Sequence, residues 1–182
     1  MVMILAVPLG IVAGFLARGR VDGLTDLRIR WAWVAVAGLL VQGFLFSDTG
    51  FELAGDAAPA IYVISTAAVL ATVLRNYRLT GMPIVALGSL SNLAAIVANG
   101  GSMPADPGAL ALAGLPVVDH NNSVVLQAPT LQLLTDIFAI PAGLPFANVF
   151  SIGDVLIAAG IVVLIAAAMR RARLTTAPAV GS

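Results

Sequence analysis

The sequence predicts an all-α polytopic membrane bundle of five transmembrane helices, with the N-terminus outside, the C-terminus inside and a long outer cap. Three observations predict it. The chain is 60% hydrophobic and only 10% charged, with a mean hydropathy of +1.03. A soluble domain carries about 25% charged and about 45–50% apolar residues, so a chain this apolar has too few polar groups to cover a water-facing surface. Five stretches are apolar enough and long enough to cross a bilayer. Finally, the nine cationic side chains, all arginine, flank those stretches on one side only.

The elements follow in order. A span needs about 17–25 apolar residues, each adding about 1.5 Å toward a hydrocarbon core of about 30 Å. Residues 1–17, 29–46, 57–74, 79–98 and 152–169 qualify, and backbone groups in lipid must pair within their own segment, which makes these helices. Met1–Ala17 is not patterned as a cleaved signal, because no cation precedes it and Arg18 and Arg20 follow it. Gly10 and Gly14, with Ala6 and Ala13, give the first helix a small-residue strip for close approach of another helix. Ala67–Ala68–Ala71 and Ala94–Ala95–Ala98 suggest the same in the third and fourth helices. Asp56 and Pro59 read as the opening of the third helix, and Thr80 and Pro83 as the cap and early proline of the fourth. Ser151-x-x-Asp154 reads as a capping box opening the fifth. Gln42 and Asn92 are amides inside spans, expected to bond across to neighbouring helices for about 1 kcal/mol or less. Trp31, Trp33 and Tyr77 read as interface anchors. The whole reads as one domain, residues 1–174, followed by a disordered tail at 175–182.

Charge placement sets the orientation. Arg18, Arg20, Arg28 and Arg30 lie between the first two spans, Arg75 and Arg78 between the third and fourth, and Arg170, Arg171 and Arg173 after the fifth. Arginine near span ends stays cytoplasmic, so five crossings require the N-terminus outside. A sixth span over Val124–Ile140 is rejected. Gln127, Pro129, Gln132 and Asp136 interrupt it at a cost in lipid, and it would move the last three arginines outside.

Residues 99–150 then form an outer segment of 52 residues with six of the ten prolines and no arginine. Loops longer than about 12–15 residues are uncommon and often functional. This one is rich in Leu, Val and Ala, so it is expected to fold back as one or two short helices on the outer end of the bundle. Pro129–Ile140 is the preferred helix, with Leu131, Leu134 and Phe138 at helical spacing. Three strings, Asn99-Gly100-Gly101-Ser102-Met103-Pro104, Leu134-Thr135-Asp136-Ile137-Phe138 and Phe150-Ser151-Ile152-Gly153-Asp154-Val155-Leu156, resemble a family of small bacterial integral-membrane proteins known as a domain of unknown function. The likeness covers nearly the whole chain. It implies a multi-pass protein of the bacterial cytoplasmic membrane, and no activity, cofactor or catalytic residue.

Candidate ligand-binding residues are few. Asp154 stands one turn into the fifth helix, where a carboxylate is either a proton or cation handle or the acid of the capping box; the spacing favours the box. Asp136 and Asn148 in the outer segment are placed to meet Asp154 above the bundle as a polar cluster, although three oxygen ligands are too few for calcium unaided. His120, the single histidine, lies in Asp119-His120-Asn121-Asn122-Ser123. That pattern suits a turn better than a triad or a zinc site. Asn99 before Gly100-Gly101 reads as a helix stop and, secondarily, as a pocket-lining turn. No metal set is apparent, and cysteine is absent. With zero net charge and no basic run, nucleic acid is not an expected partner. The lipid bilayer is an expected partner, and so is another membrane protein.

Three function classes remain at this point. A non-catalytic docking or assembly module of a larger membrane complex is preferred, on the small-residue faces, the large apolar outer cap and scarce chemistry. A small-solute transporter or a lipid- or quinone-binding protein, with a pocket under the cap, is second. A membrane-embedded enzyme comes last, for want of a nucleophile, metal set or acid–base pair.

Overall fold

The computed structural model describes residues 2–116, 123–126 and 128–175. The chain is mostly helical. α1 (Val2–Leu16) leads through a 3-10 turn (Val21–Leu24) into α2 (Ala32–Leu45). α3 (Asp48–Ala54) and a second 3-10 turn (Gly55–Ala57) continue into α4 (Ala58–Arg75), and α5 (Met82–Ala98) follows. The cap holds β1 (Met103–Pro104), α6 (Pro107–Ala113), β2 (Ser123–Val124), a third 3-10 turn (Gln132–Leu134), β3 (Phe138–Ile140) and β4 (Asn148–Phe150). α7 (Ile152–Thr175) ends the described chain. The tail expectation falls almost wholly on residues 176–182, outside the described residues.

Two helices, Asp48–Arg75 and Ile152–Arg171, are long and apolar enough to cross a membrane; Ile4–Leu16, Ala32–Leu45 and Met82–Ala98 are apolar but shorter. The five long helices stand side by side in the order α1, α7, α5, α4, α2, each packed on the next. Gly10 and Gly14 face Ile165 and Met169 of α7, leaving no room for a Cβ. The small-residue strip is therefore spent inside the chain. A second glycine seam joins α5 to α7, pairing Gly88 with Gly153 and Gly81 with Gly160.

The arginine-bearing segments gather at one end. The Arg20 amide donates to Met169 O at 2.9 Å, the Asn76 side chain exchanges 2.8 Å bonds with the Arg30 main chain, and Arg171 donates to Thr80 Oγ1 at 3.3 Å. Arg75 lies over the Trp31 ring at 5.8 Å. The cap covers the opposite end.

The cap corrects several expectations. It is not all-α: β1 pairs in parallel with β2, and β3 antiparallel with β4, Phe138 opposite Phe150. Pro129–Ile140 is not a helix. Leu131 adopts φ 55°, the Asp136 amide donates to Pro104 O at 2.9 Å, and the Phe138 and Phe150 rings stack 5.5 Å apart. Main-chain pairing to distant residues thus overrides the local spacing of Leu131, Leu134 and Phe138. Among the described residues, the short α-helix of the cap is α6, opened by the Asp106 side chain accepting from the Ala109 amide at 2.9 Å.

Smaller corrections have local causes. Ser47 accepts from the Gly50 amide at 3.1 Å and opens α3, a helix placed where a plain link was expected. Thr80 does not cap α5: Gly81 holds that position at φ 95°, because its close approach to Gly160 needs both the positive φ and the missing Cβ. The stop after α5 is as read, with Gly101 at φ 87° donating to Ile96 O at 2.8 Å.

Candidate functional site

The row of helices curves, so that α2 and α7, which are not packed together along their length, both face one cavity of about 320 Å³. α4 contributes Tyr62, Thr66, Val69 and Val73, spaced 4, 3 and 4 residues apart and so on one face. α5 contributes Val85, Ser89, Asn92 and Ile96, again at helical spacing. Asp154, Ile157 and Ile161 come from α7, Leu39 and Gln42 from α2 and Phe46 from just after it; the cap closes the top with Met103, Asp136 and Asn148–Phe150.

The cavity has two unlike ends. Asp136, Asn148, Asp154 and Asn92 gather beneath the cap, and Tyr62 lines the same cavity. Gln42, Thr66 and Ser89 form a middle band, the Gln42 amide donating to Thr66 Oγ1 at 3.2 Å across α2 and α4. Toward the arginine end the lining is Val69, Val73, Val85 and Ile161. From Tyr62 to Val73 is eleven residues, which at about 1.5 Å each gives about 16 Å of depth.

A closed ring of hydrogen bonds builds the upper wall. Asp154 accepts from the Ser151 amide at 3.1 Å, and its own amide donates to Ser151 Oγ at 3.1 Å, which is the capping box of α7. The other Asp154 oxygen accepts from Asn92 Nδ2 at 2.8 Å, and Ser151 Oγ donates to Asn92 Oδ1 at 2.9 Å. The ring locks α5 to the start of α7 and leaves Asp154 at the cavity edge, half-buried. Asp136 is 4% exposed. Its amide donates to Pro104 O at 2.9 Å and its carbonyl accepts from the Asp106 amide at 3.0 Å.

The structure brings Asp136, Asn148, Asp154, Asn92 and Gln42 to one cavity. It does not bring Asn99, whose amide exchanges 2.8 Å bonds with the Thr130 main chain and ties the cap to α5. His120 lies outside the described residues. Among those described, no group of three or more His, Cys, Asp or Glu is placed to hold a metal ion. Sequence reasoning overlooked Tyr62, Thr66 and Ser89 in the lining. Their signal was a polar side chain every third or fourth residue within an apolar stretch, matching the spacing of Asn92 from Ser89.

The comparisons give a family and no activity. The chain belongs to the family of unknown function DUF5317, whose model matches residues 26–166. No curated protein and no solved structure matches it.

Proposed function

We propose that this DUF5317 member is a five-span membrane protein of the bacterial cytoplasmic membrane that binds an amphipathic small molecule under its outer cap. The membrane reading is supported by the exposed apolar faces: only 28% of the most apolar stretch of each of the two long helices is buried. Ile4, Leu9 and Phe15 of α1 and Trp33, Leu40 and Phe44 of α2 are more than half exposed as well. Arginine segregation to one end supports an inside C-terminus. A tag near residue 120 is then expected to be accessible from outside the cell and a C-terminal tag only after permeabilisation; the reverse pattern sinks this topology.

The ligand reading rests on one observation, the graded cavity. Its capped end offers two carboxylates and two amides, and its far end only aliphatic side chains. Sites of about 300–1,000 Å³ that are mostly apolar with a few convergent polar groups are the usual form of small-molecule pockets. Carboxylates accept hydrogen bonds, so the head of the ligand carries donors, and the tail lies between Val69, Val85 and Ile161. The gap between α2 and α7 gives the tail a route from the hydrocarbon. Docking on a larger complex, preferred on sequence, loses one of its supports because the Gly10–Gly14 face is occupied by α7.

The test uses protein in lipid nanodiscs, with decylamine and decanoate as probes. Decylamine is expected to raise the melting temperature by several degrees and decanoate not at all. Ser89→Phe, which fills the middle of the cavity, should remove the decylamine shift, and Asp136→Asn should reduce it several-fold. Equal shifts from both probes, or a shift that survives Ser89→Phe, would overturn the reading. A fixed protein partner that co-purifies equally well with Ser89→Phe would restore the docking alternative.

A further inference from the structure

Three aromatic rings line the large cavity, and all three stand at its capped end. Phe46 directly follows α2, Tyr62 lies one turn into α4, and Phe150 closes β4 in the cap. Three elements far apart in sequence thus each bring a ring to the end that holds Asp136 and Asp154, while the middle band and the far end have none. The Phe46 and Tyr62 rings meet edge to face, with 5.0 Å between centroids and 84° between planes, so they stand as two walls at nearly a right angle. An edge-to-face pair covers one ring face and leaves the others for a third group. Phe138 stacks on Phe150 at 5.5 Å, which fixes that ring and leaves it its other face to offer.

Aromatic faces carry negative potential and attract cations lying within about 6 Å of the ring centroid. The described residues lining the cavity also include two carboxylates and no arginine, a formal charge of −2. The chain has no lysine. Rings and carboxylates at one end of one cavity draw in the same kind of head, a cation. We infer that the ligand's head is an N-alkylated ammonium. At least one N–H donates to a carboxylate, and the N-alkyl groups lie against the faces of Phe46, Tyr62 and Phe150. Alkylation spreads the positive charge onto the attached carbons, which ring faces hold and a carboxylate alone does not. It also weakens hydration of the nitrogen, so leaving water for a partly apolar site costs less. A neutral, hydroxyl-bearing head would supply donors but would gain nothing from the rings as a cation does. The inference rests on the ligand reading proposed above and narrows it, with the tail still among Val69, Val85 and Ile161.

The experiment measures the binding of three probes with the same decyl tail to protein in lipid nanodiscs. They are decylamine, N,N-dimethyldecylamine and 1-O-decylglycerol, whose head is neutral but carries donors. Wild type is expected to bind N,N-dimethyldecylamine about tenfold more tightly than decylamine, and 1-O-decylglycerol about tenfold more weakly than decylamine. That ranking needs no variant to fold. Tyr62→Leu and Phe46→Leu should each reduce the preference for the dimethylated amine to about twofold, whereas Tyr62→Phe, which keeps the ring, should retain most of it. Phe44→Leu, an exposed ring of α2 outside the cavity, should leave all three affinities as in wild type. Partition of the probes into lipid is common to all these proteins and cancels in the comparison. Equal affinity for the two amines, or a preference that survives both leucine variants, would overturn the aromatic site. Binding of 1-O-decylglycerol as tight as that of decylamine would overturn the cationic head while leaving a donor-seeking pocket in place. Failure of all three probes to bind wild type would strike the capped-cavity reading itself and this inference with it, so the two failures are separable.

Discussion

Replacing Gly88 with valine is expected to abolish the folded bundle, and Gly160→Val is expected to do the same. At Gly88 a Cβ would run into the Gly153 carbonyl and Ile157; at Gly160 it would meet Val85 and the Gly81 carbonyl. The obstacles include main chain, so no rotamer change relieves them and the helices must separate. Overpacking of a well-packed contact costs about 1–3 kcal/mol for extra methylenes that side chains can absorb, and a whole isopropyl group against backbone lies beyond that range. The four glycines are seven residues apart on each helix, so one blocked position unseats the entire seam, and with it Asn92 and Asp154. Gly43→Val provides the control, because a Cβ there meets nothing within 4 Å. Size-exclusion profiles and unfolding in mixed micelles should show aggregation for Gly88→Val and wild-type behaviour for Gly43→Val. A monodisperse Gly88→Val protein with unchanged stability would mean that the seam is not formed.

The second large effect is expected at Asp154. Asp154→Ala removes the acid half of the capping box and leaves the Ser151 cap in place. It also strands the Ser151 amide and the Asn92 Nδ2 group, each costing about 1–3 kcal/mol where water is scarce. A total loss of about 2–4 kcal/mol is expected, partly relieved by water entering the cavity. Asp154→Asn keeps one acceptor oxygen but turns an amide donor toward Asn92, so its loss should be about half as large. Ser151→Ala, which breaks the box but leaves the Asp154–Asn92 bond, should fall between wild type and Asp154→Ala. Denaturant or dodecyl sulfate titrations of the four proteins measure the order directly. If Asp154→Ala matched wild type, the ring would have no role in joining α5 to α7, and a purely ligand-facing Asp154 would be left.

Much of this was written in short stretches of chain. The capping box of Ser151 and Asp154, the glycine stop after Asn99 and the cross-helix amide Gln42 each depend on neighbours within a turn or on a single facing helix. The form of the cap was not legible. Leu131, Leu134 and Phe138 carry helical spacing, yet Phe138 sits in a strand because Phe150, twelve residues on, stacks against it. Likewise Gly10 and Gly14 announced a close helix contact without naming α7, and the Gly81–Gly88 and Gly153–Gly160 pairs escaped notice because a spacing of seven residues is seen only across two helices.

The sequence by itself determined a mostly helical chain with apolar segments of span-like character, arginines segregated to alternate links, and the start of the last helix at its capping box. These follow from hydropathy, charge and capping, which act over a few residues. Tertiary structure alone decided that Asn92, Tyr62 and Ser89 join Asp136 and Asp154 around one cavity, and that Arg28 and Arg171 share another. Such meetings depend on helix order and crossing. Those are set by where glycine lets two backbones touch, and that pairing is invisible until both partners are in place.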